Sequence, residues 1–204
     1  MMKRICCLAL LFCLTILPAA LPASIEAAAQ PPLSAYFPVG ENYVWEFAGE
    51  GIEFAAFTRR VEFRRGDRVQ MSQWNGGTRL MMIFQVSANA VTQTFSQAEV
   101  YDNPPLFDKP ANQSVIVLKT PLVVGAAWQN ALDRREILAT NRKLKLPSGS
   151  FDNVLVVKIV STAKENNDDG YTLEYYAPGA GLVMQEYYGA NNFKVVSKLK
   201  SFSK

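Results

Sequence analysis

The chain has 204 residues, with 21 lysines and arginines, 18 aspartates and glutamates, no histidine and a net charge of +3. Its cysteines, Cys6, Cys7 and Cys13, all lie close to the N-terminus, so the remaining chain offers no disulfide, no thiolate or imidazole catalyst and no Cys/His zinc site. The small net charge, without a dense basic cluster, predicts neither a nucleic acid partner nor binding to an anionic membrane.

The first residues have the layout of a secretory signal peptide. Lys3 and Arg4 form a basic start, an apolar run begins at Ile5, and Ala27 and Ala29 make an A-x-A cleavage site. The apolar run is short for a bilayer span of about 20 residues, so cleavage is favoured over retention as a membrane anchor. We expect a secreted or extracytoplasmic protein of the cell envelope, without a transmembrane segment after cleavage.

This interpretation divides the chain into a signal peptide, residues 1–29, and a single domain, residues 30–204. Phe12 precedes Cys13, where a lipid-modification box needs a small residue, so a lipoprotein is not expected. A single core of this size can bury roughly 70% of the surface of the unfolded chain without disulfides.

The first half of the domain predicts a β-meander. Residues 54–64 alternate in polarity, with Ala55, Phe57, Val61 and Phe63 on one face and Thr58, Arg60, Glu62 and Arg64 on the other. Turns at 65–67, 75–77 and 87–89 separate this strand from strands at 68–74, 78–86 and 90–96. The run from Met81 to Phe84 is apolar on both faces, as in a strand that is covered on both sides.

A long segment without a repeating pattern follows, at residues 97–113. Segments of more than about 12–15 residues without secondary structure are usually functional or disordered, so a lid or lip is one interpretation. The other is a proline-stiffened connector whose Leu106 and Phe107 cover an open end of the core.

The second half predicts strands near 114–119, 134–140 and 151–162, a polar turn at 166–170, and two final hairpins that end with a strand at 193–202. The GAGLV run that begins at Gly179 lacks the third glycine of a dinucleotide loop and leads into a strand. It therefore predicts a five-residue hairpin loop between two strands. Two similar runs, one ending at Trp45 and one at Trp128, each predict a Pro/Gly turn that feeds a strand opening with an indole.

The sequence offers few candidate binding residues. Tyr175 and Tyr187 belong to a tyrosine-rich hairpin that either binds a ligand or stabilises the sheet through cross-strand pairs. Leu106 and Phe107 are candidates only if the long segment forms a lip. No catalytic residue, cofactor or metal site is predicted.

Several stretches together resemble a family of bacterial exported domains of unknown function. They are YFPVGENYVWEFAGEGIEFAAF at 36–57, PLVVGAAW at 121–128, LPSGSFDNVLVV at 146–157 and YYAPGAGLVMQEY at 175–187. The family begins with a motif like YYP...G..W.Y and ends with one like YYA.GVGLV, and the chain is also similar to the broader TapB and DUF-type envelope proteins. The resemblance implies an extracytoplasmic antiparallel β-fold and carries over no activity.

The sequence therefore predicts an all-β protein: a curved antiparallel sheet of about ten strands, closed or half-closed into a barrel, after an N-terminal signal helix. We expect a non-enzymatic envelope module that binds an apolar small molecule on its concave face or an envelope protein. One alternative is a purely structural accessory domain of the cell surface. Another is a hydrolase that uses two carboxylates, for which Glu46, Glu50 and Glu53 are the candidates.

Overall fold

The computed structural model describes residues 30–162 and 170–204. The predicted signal segment and most of the predicted turn at 166–170 lie outside the described residues. No helix in the described part of the chain is long and apolar enough to cross a membrane.

The domain is built almost entirely from β-strands. One short helix, α1, spans Leu33–Tyr36, and single 3₁₀ turns span Glu53–Ala55 and Ala190–Asn192. The strands are β1 Val44–Glu50, β2 Phe57–Arg65, β3 Arg68–Trp74, β4 Arg79–Val86, β5 Ala90–Gln97, β6 Val115–Lys119, β7 Ala127–Gln129, β8 Asp133–Leu146, β9 Gly149–Ser161, β10 Tyr171–Ala177, β11 Gly181–Tyr188 and β12 Lys194–Ser203. The predicted all-β class is confirmed, with twelve strands in the described residues instead of about ten.

All twelve strands form one antiparallel sheet in the order β6-β5-β4-β3-β2-β1-β12-β11-β10-β9-β8-β7. Each strand pairs with its neighbours in the sequence, with two exceptions in the described residues: β1 also pairs with β12, and β6 does not pair with β7. The sheet curls into a nearly closed barrel whose two edge strands are β6 and β7.

Side chains of β7, of the turn that follows it and of β8 join the two edges. The indole Nε1 of Trp128 donates to the Ile116 carbonyl at 2.8 Å, and the Asn130 side chain both accepts from the Ile116 amide at 2.9 Å and donates to its carbonyl. Arg135 Nη1 donates to the Val117 carbonyl at 3.3 Å. Unpaired edge groups that would template aggregation are thereby satisfied along this seam.

The barrel interior holds the main core, which includes both indoles singled out by the sequence. Trp45 is 4% exposed and donates to the Ala180 carbonyl at 2.6 Å, while Trp128 is 7% exposed and donates across the seam. Each indole thus buries its ring and satisfies its polar atom with a distant carbonyl. The predicted pattern of a turn feeding a strand that contains a buried indole is confirmed at both places.

The predicted hairpin around the GAGLV run is confirmed as β10 and β11. Its loop is shorter than expected, since only Pro178 to Ala180 lie between the strands. Gly179 and Gly181 have φ of +76° and +78°, which glycine adopts without strain. The Gly179 amide donates to the Ala35 carbonyl at 2.7 Å, so this turn docks on α1.

A second, smaller apolar cluster lies on the outer face of the sheet. Segment 98–114 crosses that face and covers Met81, Ile83 and Phe95. Leu106 and Phe107 belong to this segment, and each is 5% exposed because it packs against the sheet. The doubly covered strand that Met81 to Phe84 predicted is therefore confirmed. Leu106 and Phe107 pack with Met81, Ile83 and Phe95 in this outer cluster, which is separate from the interior core. They therefore cover the outer face and not an open end of the core.

The buried side chain of Gln70 fixes the segment in place. Its Nε2 donates to the Pro104 carbonyl at 2.8 Å and its Oε1 accepts from the Leu106 amide at 2.7 Å. Arg68 Nη1 also donates to the Phe107 carbonyl at 2.8 Å. The segment is therefore a docked strap, held by hydrogen bonds as well as by apolar burial.

The predicted face assignment of residues 54–64 is partly wrong. Phe54 and Ala55 belong to a 3₁₀ turn, and β2 begins at Phe57. A register shift between Val61 and Phe63 then places Phe63 in the outer cluster while Val61 stays in the interior. A bulge adds one residue to a strand and exchanges the faces beyond it, which alternation alone cannot reveal.

Candidate functional site

A groove of about 720 Å³ lies on the outer face of β2 and β3, beside the strap. Thr58, Arg60 and Glu62 share one face of β2 because side chains two residues apart point the same way. The register places Thr58 opposite Trp74 and Arg60 opposite Ser72, so the two strands present one surface. The groove is lined by these five residues together with Gly76, Gly77, Arg79, Tyr101 and Asn103.

Two aromatic rings line the groove and are exposed. Trp74 is 54% exposed and Tyr101 is 60% exposed, although the other two tryptophans of the chain are buried. Exposed aromatic surface beside polar groups is typical of binding sites, since contact with a ligand removes it from water. The rings therefore mark this groove as the candidate site.

A buried carboxylate, that of Glu62, lines the groove. The Glu62 side chain is 7% exposed, and its Oε1 accepts from Arg79 Nη2 at 2.9 Å and from the Ser72 hydroxyl. Its Oε2 accepts from Asn103 Nδ2 at 2.8 Å. A buried charge is costly unless it is paired and hydrogen-bonded, and here both oxygens are engaged. Glu62 thus fixes the side chains around it.

The same network positions the strap and the turn after β3. Arg79 Nη1 donates to the Tyr101 carbonyl at 2.8 Å, and the Tyr101 hydroxyl donates to the Gly77 carbonyl at 3.2 Å. The Asn75 Oδ1 accepts from the amides of Gly77 and Thr78 at 3.1 and 2.8 Å, which closes the turn. The groove is therefore preorganised by contacts within the protein.

Arg60 is the cation of the groove that this network does not neutralise. Its side chain is exposed, and no ion pair to it occurs within residues 30–162 and 170–204. Arg79, by contrast, is paired with Glu62. The groove therefore offers one positive charge to a ligand.

A second groove of about 420 Å³ continues from the first across Trp74. The two share Thr58, Trp74 and Gly76, and the second is also lined by Glu46 and Lys200. Ser201 Oγ donates to Glu46 Oε2 at 2.9 Å. The two grooves form one trough with an indole at its middle.

The interior of the barrel is different in character. A cavity of about 20 Å³ lies beside Arg59, lined by aromatic and aliphatic side chains that include Phe37, Trp45 and Met71. That is room for about one water molecule, whereas a small-molecule site needs about 300 Å³. This cavity does not accommodate the apolar ligand that we expected on the concave face.

Charged groups inside the barrel are engaged with one another. Arg135 Nη1 lies 3.3 Å from Glu174 Oε2, and the Tyr176 hydroxyl donates to that same oxygen at 2.6 Å. Burial, followed by the neighbouring carboxylate, raises the pKa of Tyr176 well above its usual value. Arg59 donates to Gln73 Oε1 at 2.7 Å, and burial lowers its pKa. These groups cross-link strands, and none of them lines the outer trough.

The predicted site residues do not converge. Tyr175 and Tyr187 lie on opposite faces of the sheet, because Tyr187 pairs with Thr172 and Tyr175 lies three positions, an odd offset, further along the same strand. Tyr175 is 8% exposed, and its hydroxyl donates to Glu186 Oε2 at 2.6 Å. Leu106 and Phe107 belong to the strap and are buried against the sheet, so none of the four lines the trough.

The three carboxylates considered for hydrolysis, Glu46, Glu50 and Glu53, have different surroundings. Glu46 lines the second groove, while Glu50 Oε1 accepts from Lys198 Nζ at 2.8 Å. Glu53 lies in the exposed 3₁₀ turn. No group of three or more carboxylates within the described residues has the arrangement of a metal site.

Sequence reasoning missed Trp74 and Tyr101. Trp74 ends a predicted strand, and its outward direction follows from its register with Thr58. Tyr101 lies in a segment without periodicity, and only the docked strap brings it to β3. The one signal available was a tryptophan beside the Asn75-Gly76-Gly77 turn, where a core indole is less expected.

Comparison with known proteins adds little. No family model and no curated protein matches the chain, so the resemblance to TapB-type envelope proteins stays a prediction. A presumed exported protein with a YmcC-like fold from Bacteroides fragilis is similar over 83% of this chain and 99% of its own, at 16% identity and a TM-score of 0.48. A presumed lipoprotein from Parabacteroides distasonis is similar over 82% and 98%, at 14% identity and a TM-score of 0.45. Likenesses at this level transfer no residue, ligand or activity to the present chain.

Proposed function

We propose that the protein is an exported, non-enzymatic module that binds a saccharide in the trough around Trp74. The observation that carries the proposal is the pairing of two exposed aromatic rings, Trp74 and Tyr101, with a polar floor that the protein itself holds rigid. Preorganised sites lose less conformational entropy on binding, which favours affinity.

The chemistry of the lining suits a sugar ring. A pyranose has apolar C–H faces that pack on aromatic rings and hydroxyl groups at its edge that need hydrogen-bond partners. Trp74 and Tyr101 offer the first kind of contact, and Thr58, Arg60 and Asn103 offer the second. A purely apolar ligand would cover the exposed Arg60 guanidinium without giving it a hydrogen-bond partner.

We propose binding without catalysis because the carboxylates of the trough already accept hydrogen bonds from protein groups. Hydrolysis of a glycosidic bond usually takes two carboxyl groups that flank it. Within the part of the chain that the structure describes, two carboxylates line the trough: three protein donors engage Glu62, and Glu46 Oε2 accepts from Ser201 Oγ at 2.9 Å. Both carboxylates already bind protein groups, so we propose binding without hydrolysis.

Export is supported by the sequence of residues 1–29, which has the basic start, apolar run and A-x-A site of a signal peptide. The domain from Gln30 onward carries no cysteine whose oxidation state would matter outside the cytoplasm.

Tryptophan fluorescence tests the proposal directly, because Trp74 is exposed and the other two tryptophans are buried. The chain from Gln30 to Lys204 is titrated with cellohexaose, chitohexaose and a galacturonate hexamer while emission and acrylamide quenching are followed. We expect at least one hexasaccharide to shift the Trp74 emission and to protect it from acrylamide.

Trp74→Ala removes the fluorescent reporter, so isothermal titration calorimetry follows binding by this variant, which is expected to be weaker by about tenfold or more because stacking on the ring is lost. Leu132→Ala is the matched control, because Leu132 is 71% exposed and lies at the β7–β8 turn, outside the trough. Absence of any change with all three hexasaccharides would contradict the proposal.

A structural accessory domain is the second candidate, and one observation favours it. The cavity beside Arg59 is only about 20 Å³, as expected of a module filled to normal density. Under this alternative the three hexasaccharides leave the Trp74 emission unchanged.

A further inference from the structure

We infer that the saccharide bound in the trough is an acidic polysaccharide strand, which lies across Trp74 and places an anionic group against Arg60. This inference rests on the proposed function and specifies its ligand. It is carried by the charge distribution in the first groove and by the continuity of the two grooves.

Charge in the first groove is unbalanced by one cation. Arg79 and Glu62 neutralise each other at 2.9 Å, and the side chain of Glu62 is 7% exposed. Arg60 is exposed on the same face of β2, opposite Ser72, and no ion pair to it occurs in the described residues. A carboxylate or sulfate on a sugar would fill that position, because guanidinium groups bind such anions through two parallel hydrogen bonds.

The continuity of the trough favours a polymer over a single sugar. Grooves of about 720 and 420 Å³ meet at Trp74, which lines both. A monosaccharide would use one groove only. A strand of several sugars would stack one ring on the indole and extend a ring to each side.

The second groove does not carry the same charge. Lys200 and Glu46 both line it, so its charges balance, and Glu46 is also bonded to Ser201. We therefore place the required anionic group at Arg60 alone and assign neutral contacts to the second groove.

Single-stranded nucleic acid is the other polymer that combines stacking with negative charge. Proteins that bind it present a positively charged groove that follows the backbone. The trough has one unpaired cation in its first groove and a balanced pair in its second. A saccharide with spaced charges therefore fits the trough better.

The test compares four probes on the chain from Gln30 to Lys204: galacturonate hexamer, galacturonate dimer, cellohexaose and a twelve-residue oligothymidylate. We expect the acidic hexamer to bind roughly fivefold more tightly than cellohexaose at low salt, as one partly exposed ion pair allows. Added salt should remove the difference. The dimer should bind more weakly than the hexamer, because it cannot occupy both grooves.

Arg60→Gln should abolish the preference for the acidic hexamer, so that its affinity falls about fivefold relative to the affinity for cellohexaose. Arg64→Gln is the matched control: it removes the same charge from the same strand. The register shift in β2 directs Arg64 to the face of Val69, away from the trough. Fluorescence of Trp74 reports binding for every variant.

The outcomes separate this inference from the proposed function. Equal binding of the acidic hexamer and cellohexaose, unaffected by Arg60→Gln, would overturn the acidic ligand and leave saccharide binding intact. Equal affinity for dimer and hexamer would overturn the extended strand. Tighter binding of the oligothymidylate, dependent on Arg60, would overturn the saccharide. Failure of all four probes would remove both the inference and the function on which it rests.

Discussion

Gln70→Leu should destabilise the protein and loosen the strap at the same time. Gln70 is fully buried, and its amide makes two hydrogen bonds, to the Pro104 carbonyl at 2.8 Å and from the Leu106 amide at 2.7 Å. Leucine keeps the volume but leaves both backbone groups without a partner. Each unmade buried hydrogen bond costs about 1–3 kcal/mol.

The gain from burying leucine offsets roughly 1 kcal/mol of this cost. We therefore expect the free energy of unfolding to fall by about 1–5 kcal/mol. Urea denaturation of the wild type and the variant measures that difference. Hydrogen exchange of the Leu106 amide provides a second, local measurement, since that amide should lose its protection before the sheet unfolds.

Gln85→Leu provides the control. Gln85 lies on the neighbouring strand β4, is exposed, and makes one exposed hydrogen bond to Asp67. Its replacement should change the free energy of unfolding by less than about 0.5 kcal/mol. If Gln70→Leu costs no more than Gln85→Leu and the Leu106 amide stays protected, the two hydrogen bonds do not hold the strap.

Three further predictions follow from the trough and from the outer face of β11. Trp74→Phe should lower the fraction of fluorescence that acrylamide quenches, because Trp74 is half exposed. It should change the free energy of unfolding by less than about 0.5 kcal/mol. Loss of the cooperative unfolding transition would show that the indole ring is needed for the fold. Glu62→Gln leaves Arg79 unpaired, so we expect a loss of about 1–2 kcal/mol in urea denaturation and weaker hexasaccharide binding; stability equal to wild type would show that the carboxylate does not organise the groove. Burial raises the pKa of Glu186, but hydrogen bonds from Lys194 and Tyr175 outweigh it and hold the pKa below the ordinary value of 4.5. The stability that Glu186 contributes is therefore present above about pH 4.5 and lost as the pH falls through its lower native pKa, so Glu186→Gln should flatten the acid side of the stability profile. A profile as steep as wild type would assign the acid loss to other carboxylates.

The strands could be predicted from the sequence because their physical cause is local. Alternation and turn residues depend on side chains within a few positions, as in the turn at Gly66 and the hairpin of β10 and β11. The run from Met81 to Phe84 even revealed that both faces of β4 are covered. The edges of the barrel could not be derived in this way, since Trp128 and Ile116 meet only when the whole sheet has curled.

The candidate site could not be predicted from the sequence, because it too depends on contacts between distant parts of the chain. Its floor depends on the bulge in β2 and on Gln70, which draws the strap across β3 and delivers Tyr101 and Asn103 to Trp74. These are contacts between distant parts of the chain. Tyr175 and Tyr187, the tyrosines that the sequence suggested as binding residues, lie on opposite faces of the sheet.

The seam between β6 and β7 has a consequence for how the chain can be reconnected. It is the one junction around the barrel without a backbone ladder in the described residues, and the exposed residues Val123 and Val124 lie in the segment that links its two strands. A circular permutant opened in this segment, with a flexible linker from Lys204 to Gln30, would sever no backbone ladder, and loop closure costs only about 0.6 kcal/mol more for each doubling of linker length. Such a permutant would place the new termini between two strands that do not line the trough, and a fluorescent domain could be fused there to report ligand binding.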